Sequence, residues 1–521
     1  MNPSRRRAIL LTLLLSLWTL APAAHSQRKP KKPKVRPDVA RFTARADAIL
    51  ADAKAAKGHW GVLVLDAVTG EILYSHNPEK YFTPASNTKL YTTISALALL
   101  GPDFRWRTTL ESRAALDAHG RLRGDVVLVG RGDPNLSNRK FPFDIKVERD
   151  GPPEKVLAEL ADQFVARGVK QVEGDIVADD SYFPAERYAS GWAIDDMTFG
   201  YGAPVSALTV NDNTLTIEIR PGDKEGDFAW FGVEPWAEFY EFVNEVRTAA
   251  AGASARVSAD REPGSRRVVL RGSILLGAEP RRITLAVEEP AEFDAALLKR
   301  LLESRGVRIY GKARAQHEPQ AAPAENPVVL AEHLSVTLLD DVRLVNKISQ
   351  NLHAELLLRA IGREKGTAGT TDAALKVAQE FFKSIGIAEG DVAIYDGSGL
   401  SRRNLITPRA TVTLLTWAAK QSWAEPFIAT LPVSAQEGAT LAERMKGTPA
   451  AGRIHAKTGT LGNVNALSGF ADSLHGTRVV FSMFGNSHNL RGAEASAVHD
   501  SLCIAMVEEF GAPPPSKKKK R

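Results

Sequence analysis

A single cysteine, Cys503, stands in 521 residues, so no disulfide can form within the chain and stability has to come from a packed core. The most apolar stretch near the N-terminus, Ala8–Leu20, has thirteen residues, short of the roughly 20 that a membrane-spanning helix needs. No His-Glu-x-x-His element is present, which weighs against a zinc hydrolase, and nothing calls for a metal or other cofactor. There is no basic stripe interleaved with aromatics and no recognition motif for nucleic acid, so nucleic acid is not an expected partner. No internal repeat points to a solenoid or propeller. What is present, 44% hydrophobic and 25% charged residues, is the composition of a globular chain long enough for two or three folding units.

The ends read differently from the middle. "MNPSRRRAILLTLLLSLWTLAPAAHSQ" has an arginine cluster, an apolar segment and small residues ending at Ser26, the pattern of a secretory signal peptide over residues 1–26. The expected location is across the inner membrane, periplasmic or associated with the cell wall; the arginines after Ser4 also fit twin-arginine export, and the two routes stay open. Arg5–Arg7, "RKPKKPKVR" and the terminal "KKKKR" carry 14 positive charges; subtracting these from the net +6 leaves −8 for the body. Residues 27–37 and 512–521 therefore read as solvated basic tails. Solubility and electrostatic contact with an anionic wall or membrane are both open for them. The oligomeric state is not legible.

Between the tails, "PDVARFTARADAILADAKAAKG" has helical spacing as far as Gly58, and "HWGVLVLDAVTGEILYSHNP" reads as a hairpin. "VNALSGFADSLHGTRVVFSMFGN" and "RGAEASAVHDSLCIAMVEEFG" give a second hairpin and a long helix near the other end. These look like two halves of one α/β domain, residues 38–100 and 333–511, separated by an insertion. The insertion, 101–332, is a succession of short strand-like runs with one clear helix, "PEKVLAELADQFVARGV", and closes on the linker "QAAPAENP".

"TPASNTKLYTT" places Ser86 three positions before Lys89. With Thr83 as N-cap and Pro84 at the first helical position, Ser86 would fall in the first turn of a helix, sharing a face with Lys89. Such a serine can be a nucleophile and such a lysine its base, provided burial or a second cation keeps the amine neutral. "KISQNLHAELLLR" adds Ser349 and Asn351, a hydroxyl and an amide able to relay a proton and hold a peptide carbonyl, or merely to cap a helix. "HAKTGTLGNVNALSGF" adds Lys457, Thr458 and Gly459 at the expected start of a strand. There the glycine would let a substrate backbone lie close, and Lys457 and Thr458 would hold a carboxylate.

Ser-x-x-Lys, Ser-x-Asn and Lys-Thr-Gly in this order resemble the penicillin-interacting serine enzymes. The 263 residues between Ser86 and Ser349, together with "GDPNL", "GDIVADDSYF", "GWAIDDMTFGYGAPVSALTVNDN" and "DGSGLSRRNLITP", make the chain similar to the class C low-molecular-mass penicillin-binding proteins, the D-alanyl-D-alanine carboxypeptidases/endopeptidases of the penicillin-binding protein 4 type. The resemblance implies an α/β penicillin-binding, serine β-lactamase-like catalytic domain, an antiparallel sheet flanked by helices, interrupted by a large, mostly β insertion of two nested accessory domains.

It also implies the chemistry. Ser86 would form an acyl-enzyme on peptidoglycan stem peptides and cross-links, with Lys89 as base and the backbone N–H groups of Ser86 and Thr460 as oxyanion hole. Ser349 would relay a proton, Asn351 would hold the substrate amide, and Lys457 with Thr458 would fix the carboxylate. Penicillins and other β-lactams would act as inhibitors by acylating the same serine. By motif, Asp196, Tyr201 and Arg402 would border the pocket for the substrate side chain; an ordinary loop ion pair is the plainer reading of the two charges. Gly462 stands where the family often has a bulkier polar residue, which leaves fine specificity open. The rivals are a β-lactamase or esterase on the same scaffold and a catalytically weak wall-binding scaffold.

Overall fold

The two hairpins that flank the insertion in sequence are joined in space. In the computed structural model, His59–Asp66 pairs antiparallel with Ile72–His76 on one side and with Arg478–Asn486 on the other. Val464–Asp472 and Ile454–Leu461 complete an antiparallel five-stranded sheet. The structure describes residues 36–143, 145–319 and 327–513. The expected signal peptide, all but Arg36 and Pro37 of the first basic tail, residues 514–521 of the second, and 320–326 of the linker lie outside the described residues.

The central strands are buried at most positions because both faces of the sheet are covered. "RVVFSMFGN" is buried from its second residue to its last. Alternation still sorts the side chains: Leu63, Phe470 and Val480 face a core shared with the Thr88–Leu99 and Asn351–Lys365 helices. Val62, Val64, Val479 and Phe481 face the other way, onto the Pro37–Leu50 and Gly492–Glu509 helices. The first helix ends at Leu50 and continues only as turns, eight residues before the expected stop at Gly58. "TKLYTTISALAL" is buried over ten of its twelve residues, as a helix in the middle of a core must be.

The insertion builds two further cores. One sheet runs Ala313–Gln316, Ile176–Asp179, Val126–Val129, Arg107–Ser112, Val328–Leu334, so strands from both ends of the insertion share it. Two helices, Lys155–Ala166 and Pro290–Glu303, pack into this core. The second was not expected from the sequence: the Glu and Asp of "PAEFDAALLKRLLE" interrupt its apolar pattern, although Pro290 occupies a favoured first-turn position. Nested between the halves, residues from Thr214 to Ala286 form a three-stranded and a four-stranded sheet around Ile217, Val246, Leu270 and Leu285.

Candidate active site

Ser86 lies in a short 3-10 turn, Ala85–Asn87, and the α-helix proper begins at Thr88. Thr83 does not cap it, contrary to the sequence reading. Its N–H donates to Asn486 Oδ1 (2.7 Å), and its carbonyl accepts from Asn486 Nδ2 (3.1 Å). Ala85 has a φ of 47°, a left-handed conformation that no continuous right-handed helix contains. Gly399 (φ 84°) packs directly on it: a Cβ there would stand 1.9 Å from the Ala85 carbonyl oxygen. Ser86 therefore sits on a bent entry to the helix rather than inside it.

Lys89 is wholly buried. Its Nζ is 2.9 Å from Ser86 Oγ, 2.6 Å from Asn351 Oδ1 and 2.6 Å from the Ser398 carbonyl. Burial lowers its pKa to about 7, although Asp396 and Glu355 pull the other way. Lys457 is equally buried and donates to Ser349 Oγ (2.9 Å) and to the Thr458 carbonyl (3.0 Å). Burial, and then the charge of Lys89, lower its pKa well below the usual lysine value.

The structure thus brings Ser86, Lys89 and Asn351 into one hydrogen-bonded group, and Ser349 with Lys457 into another. Lys457–Thr458–Gly459 lie in the middle of the Ile454–Leu461 strand, not at its start. The strand begins three residues earlier because Ile454 and Ala456 are buried in the core. Asn87 Nδ2 donates to the Lys457 carbonyl (2.9 Å), tying strand to turn. A Cβ at Gly459 would lie 2.6 Å from the Pro84 carbonyl oxygen and 3.1 Å from the Ser86 nitrogen, so the close approach of the strand to the Ser86 turn requires a glycine. Thr458 Oγ1 bonds Thr440 Oγ1 (2.8 Å), and Thr460 is exposed beyond it.

Glu355 and Asp396 were missed by the sequence reading. Glu355 accepts the N–H groups of Gly397 and Ser398, aiming the Ser398 carbonyl at Lys89. Asp396 accepts from the backbone of Gly399 and Ser401, from Asn404 Nδ2 (2.6 Å) and from Trp192 Nε1 (3.0 Å). Burial, with Asp396 nearby, raises the pKa of Glu355. A signal for Glu355 was available: it follows Asn351 by four residues and so shares its helix face. Asp396 lies inside the quoted "DGSGLSR" but has no such local cue.

The proposed side-chain pocket is looser. Asp196 Oδ1 accepts from Tyr201 OH (2.9 Å), and the Tyr201 carbonyl accepts from Asn351 Nδ2 (2.8 Å). Arg402 is exposed and reaches the Gly462 carbonyl at 3.5 Å. Asp196 and Arg402 form no ion pair with each other among the described residues.

The fold is that of the penicillin-binding serine enzymes. The chain belongs to the D-Ala-D-Ala carboxypeptidase 3 (S13) family, whose profile matches residues 42–505, and it is a peptidase of that family. It is 34% identical to a D-alanyl-D-alanine carboxypeptidase of Actinomadura sp. (strain R39), over 98% of this chain and 91% of that one. The crystal structure of penicillin binding protein 4 (dacB) from Haemophilus influenzae superposes with a TM-score of 0.75 at 24% identity, covering 88% of this chain and 97% of that one. The same protein in complex with a β-lactam superposes with a TM-score of 0.70 at 23% identity, covering 90% and 99%.

Proposed function

We propose that the protein removes the terminal D-Ala of peptidoglycan stem peptides, and cuts the D-Ala amide of their cross-links, through an acyl-enzyme on Ser86. One observation carries the reading: a fully buried lysine, its pKa lowered to about 7, lies 2.9 Å from a serine hydroxyl. Lys89 takes the Ser86 proton as the oxygen attacks the penultimate D-Ala carbonyl, and the N–H groups of Ser86 and Thr460 receive the developing oxyanion. Asn351 orients Lys89 and holds the substrate amide. Ser349, bonded to Lys457, passes a proton to the departing amine, while Lys457 and Thr458 face the substrate carboxylate; water then releases the acyl group. Asp196, Tyr201 and Arg402 would meet the charged side chain of a diamino acid in the stem.

β-Lactams would acylate the same serine, which the β-lactam complex of the Haemophilus protein supports. The work would be done in the periplasm or at the wall; no described helix is long and apolar enough to cross a membrane. For the domains we propose a discontinuous catalytic unit, 38–100 and 333–511, with accessory domains in 101–332, in keeping with the separate cores. The test is labelling with a fluorescent penicillin and mass mapping of the adduct. One adduct on the peptide containing "PASNTK" is expected, with label and D-Ala release both lost in Ser86→Ala. An adduct on Ser349 or Ser398 would overturn the assignment.

A further inference from the structure

The turn that carries Ser349 and Asn351 is bonded on its catalytic side to Lys457 and Lys89. Ser349 ends the Leu338–Ile348 helix in a left-handed conformation (φ 63°), and Gln350, extended, starts the next helix. The outer side of this turn faces a cavity of about 430 Å³ that Ser349, Gln350 and Asn351 line together with Arg149, Tyr201 and Asp212. Packing alone therefore does not fix it.

On its outer side the turn is held from the insertion. Asp212, in the quoted "ALTVNDN", is buried. Its Oδ2 accepts from Gln350 Nε2 at 2.9 Å, and its Oδ1 lies 3.2 Å from His353 Nε2. The other nitrogen of His353 lies 2.7 Å from Asp341 Oδ1, on the helix that precedes the turn. Asp212 is held in turn by the Arg139 guanidinium and through its own N–H, which donates to Ser137 Oγ (2.7 Å). Burial would raise its pKa, but Arg139 and His353 hold it well below the usual carboxylate range. Asn211, Asp212 and Asn213 all have φ between 51° and 54°, a conformation that Asn and Asp accept more readily than other side chains. The segment "NDN" is thus shaped to present one carboxylate to the turn.

We propose that Asp212, supplied by the insertion, is a positioning residue for acyl transfer: through Gln350 and His353 it fixes the turn so that Ser349 meets Lys457 and Asn351 meets Lys89. This role rests on the acyl-transfer reading of Ser349 and Asn351 given above. It gives the insertion a part in the chemical step, in addition to any part in recognising the wall.

Gln350→Ser tests the link without undoing the helix start. Gln350 Oε1 now caps the N–H of Leu352 (2.8 Å), and serine is a favoured cap but too short to reach Asp212. With a penicillin as probe, the acylation rate constant should fall by about 10–100-fold while the dissociation constant of the preceding complex changes by less than about threefold and the melting temperature holds. Asp212→Asn should show the same split, and the double variant should be no slower than the slower single one, since both weaken the same Asp212–Gln350 link. If Asp212→Asn does not fold, the split in Gln350→Ser decides alone. A Gln350→Ser enzyme that acylates like wild type, or additive losses in the double variant, would overturn the proposal. A wild-type protein that takes no penicillin at all would overturn the acyl-transfer reading instead.

Discussion

Two sets of polar side chains lie in and beside the three motifs, and they live in different surroundings. Lys89 is buried, with three oxygens within 2.9 Å of its amine, and two buried carboxylates, Glu355 and Asp396, shape the loop that supplies one of them. Asp196, Tyr201 and Arg402 are partly or fully exposed and make one or two contacts each. Desolvation changes what a group is, turning a lysine from a cation into a base. A charge near the surface can still recognise an opposite charge, but solvent screens it and keeps the energy small. In the proposed reaction the buried set makes the bond and the exposed set chooses which peptide is brought to it.

The contrast breaks most sharply at Lys89. Lys89→Arg keeps a cation but cannot supply a neutral base, so acylation by penicillin should fall by about 10²–10⁴-fold in stopped-flow or gel-labelling kinetics. Acylation at wild-type speed would mean that another group takes the Ser86 proton.

Gly459→Ala probes the packing of strand against nucleophile. Its methyl would press on the Pro84 carbonyl, 2.6 Å away, and relief requires the strand to shift. Overpacking of this kind costs about 1–3 kcal/mol, so a lower melting temperature should accompany roughly 10–100-fold slower acylation. An unchanged enzyme would show that the strand can move without cost.

The pH profile sharpens the same point. Because the pKa of Lys89 is lowered to about 7, its base form is depleted below that pH and dominant above it. The second-order rate of acylation by a penicillin should rise as pH increases through about 7 and level off beyond. A profile flat from pH 5 to 9 would remove Lys89 from the role of base.

The smallest effect is expected at the rim. Asp196→Ala or Arg402→Ala should slow turnover of a diamino-acid peptide ending in D-Ala-D-Ala by about 5–100-fold, the scale of a charge-assisted hydrogen bond, and leave acylation by a simple penicillin within about twofold. Equal losses toward both ligands would place these residues in the support of the catalytic centre, and no loss toward either would make them surface charges.

The residues assigned to the proposed reaction were legible because each motif is local: Ser86 and Lys89 are one turn apart, Ser349 and Asn351 flank one residue, and Lys457 to Gly459 are consecutive. The hairpins and the long C-terminal helix were legible for the same reason, each having its own period and turn. Less legible were elements whose form depends on distant partners. Thr83 looked like a cap because the side chain of Asn486, 403 positions away, is invisible beside it in sequence. The Pro290–Glu303 helix was hidden because Asp294, fully buried with its carboxyl pKa raised by desolvation, breaks the expected apolar face.

The sequence by itself determined which side chains the three motifs bring to the proposed acyl transfer, in what order, and with what interval between them, since residue identity and short spacing are local properties. Only the tertiary structure decided that the two lysines lose their water, that Glu355 and Asp396 shape the loop whose carbonyl meets Lys89, and that Asp212 of the insertion reaches the Ser349–Asn351 turn. Desolvation and long-range hydrogen bonding depend on everything that surrounds an atom, and here those surroundings come from segments hundreds of residues apart.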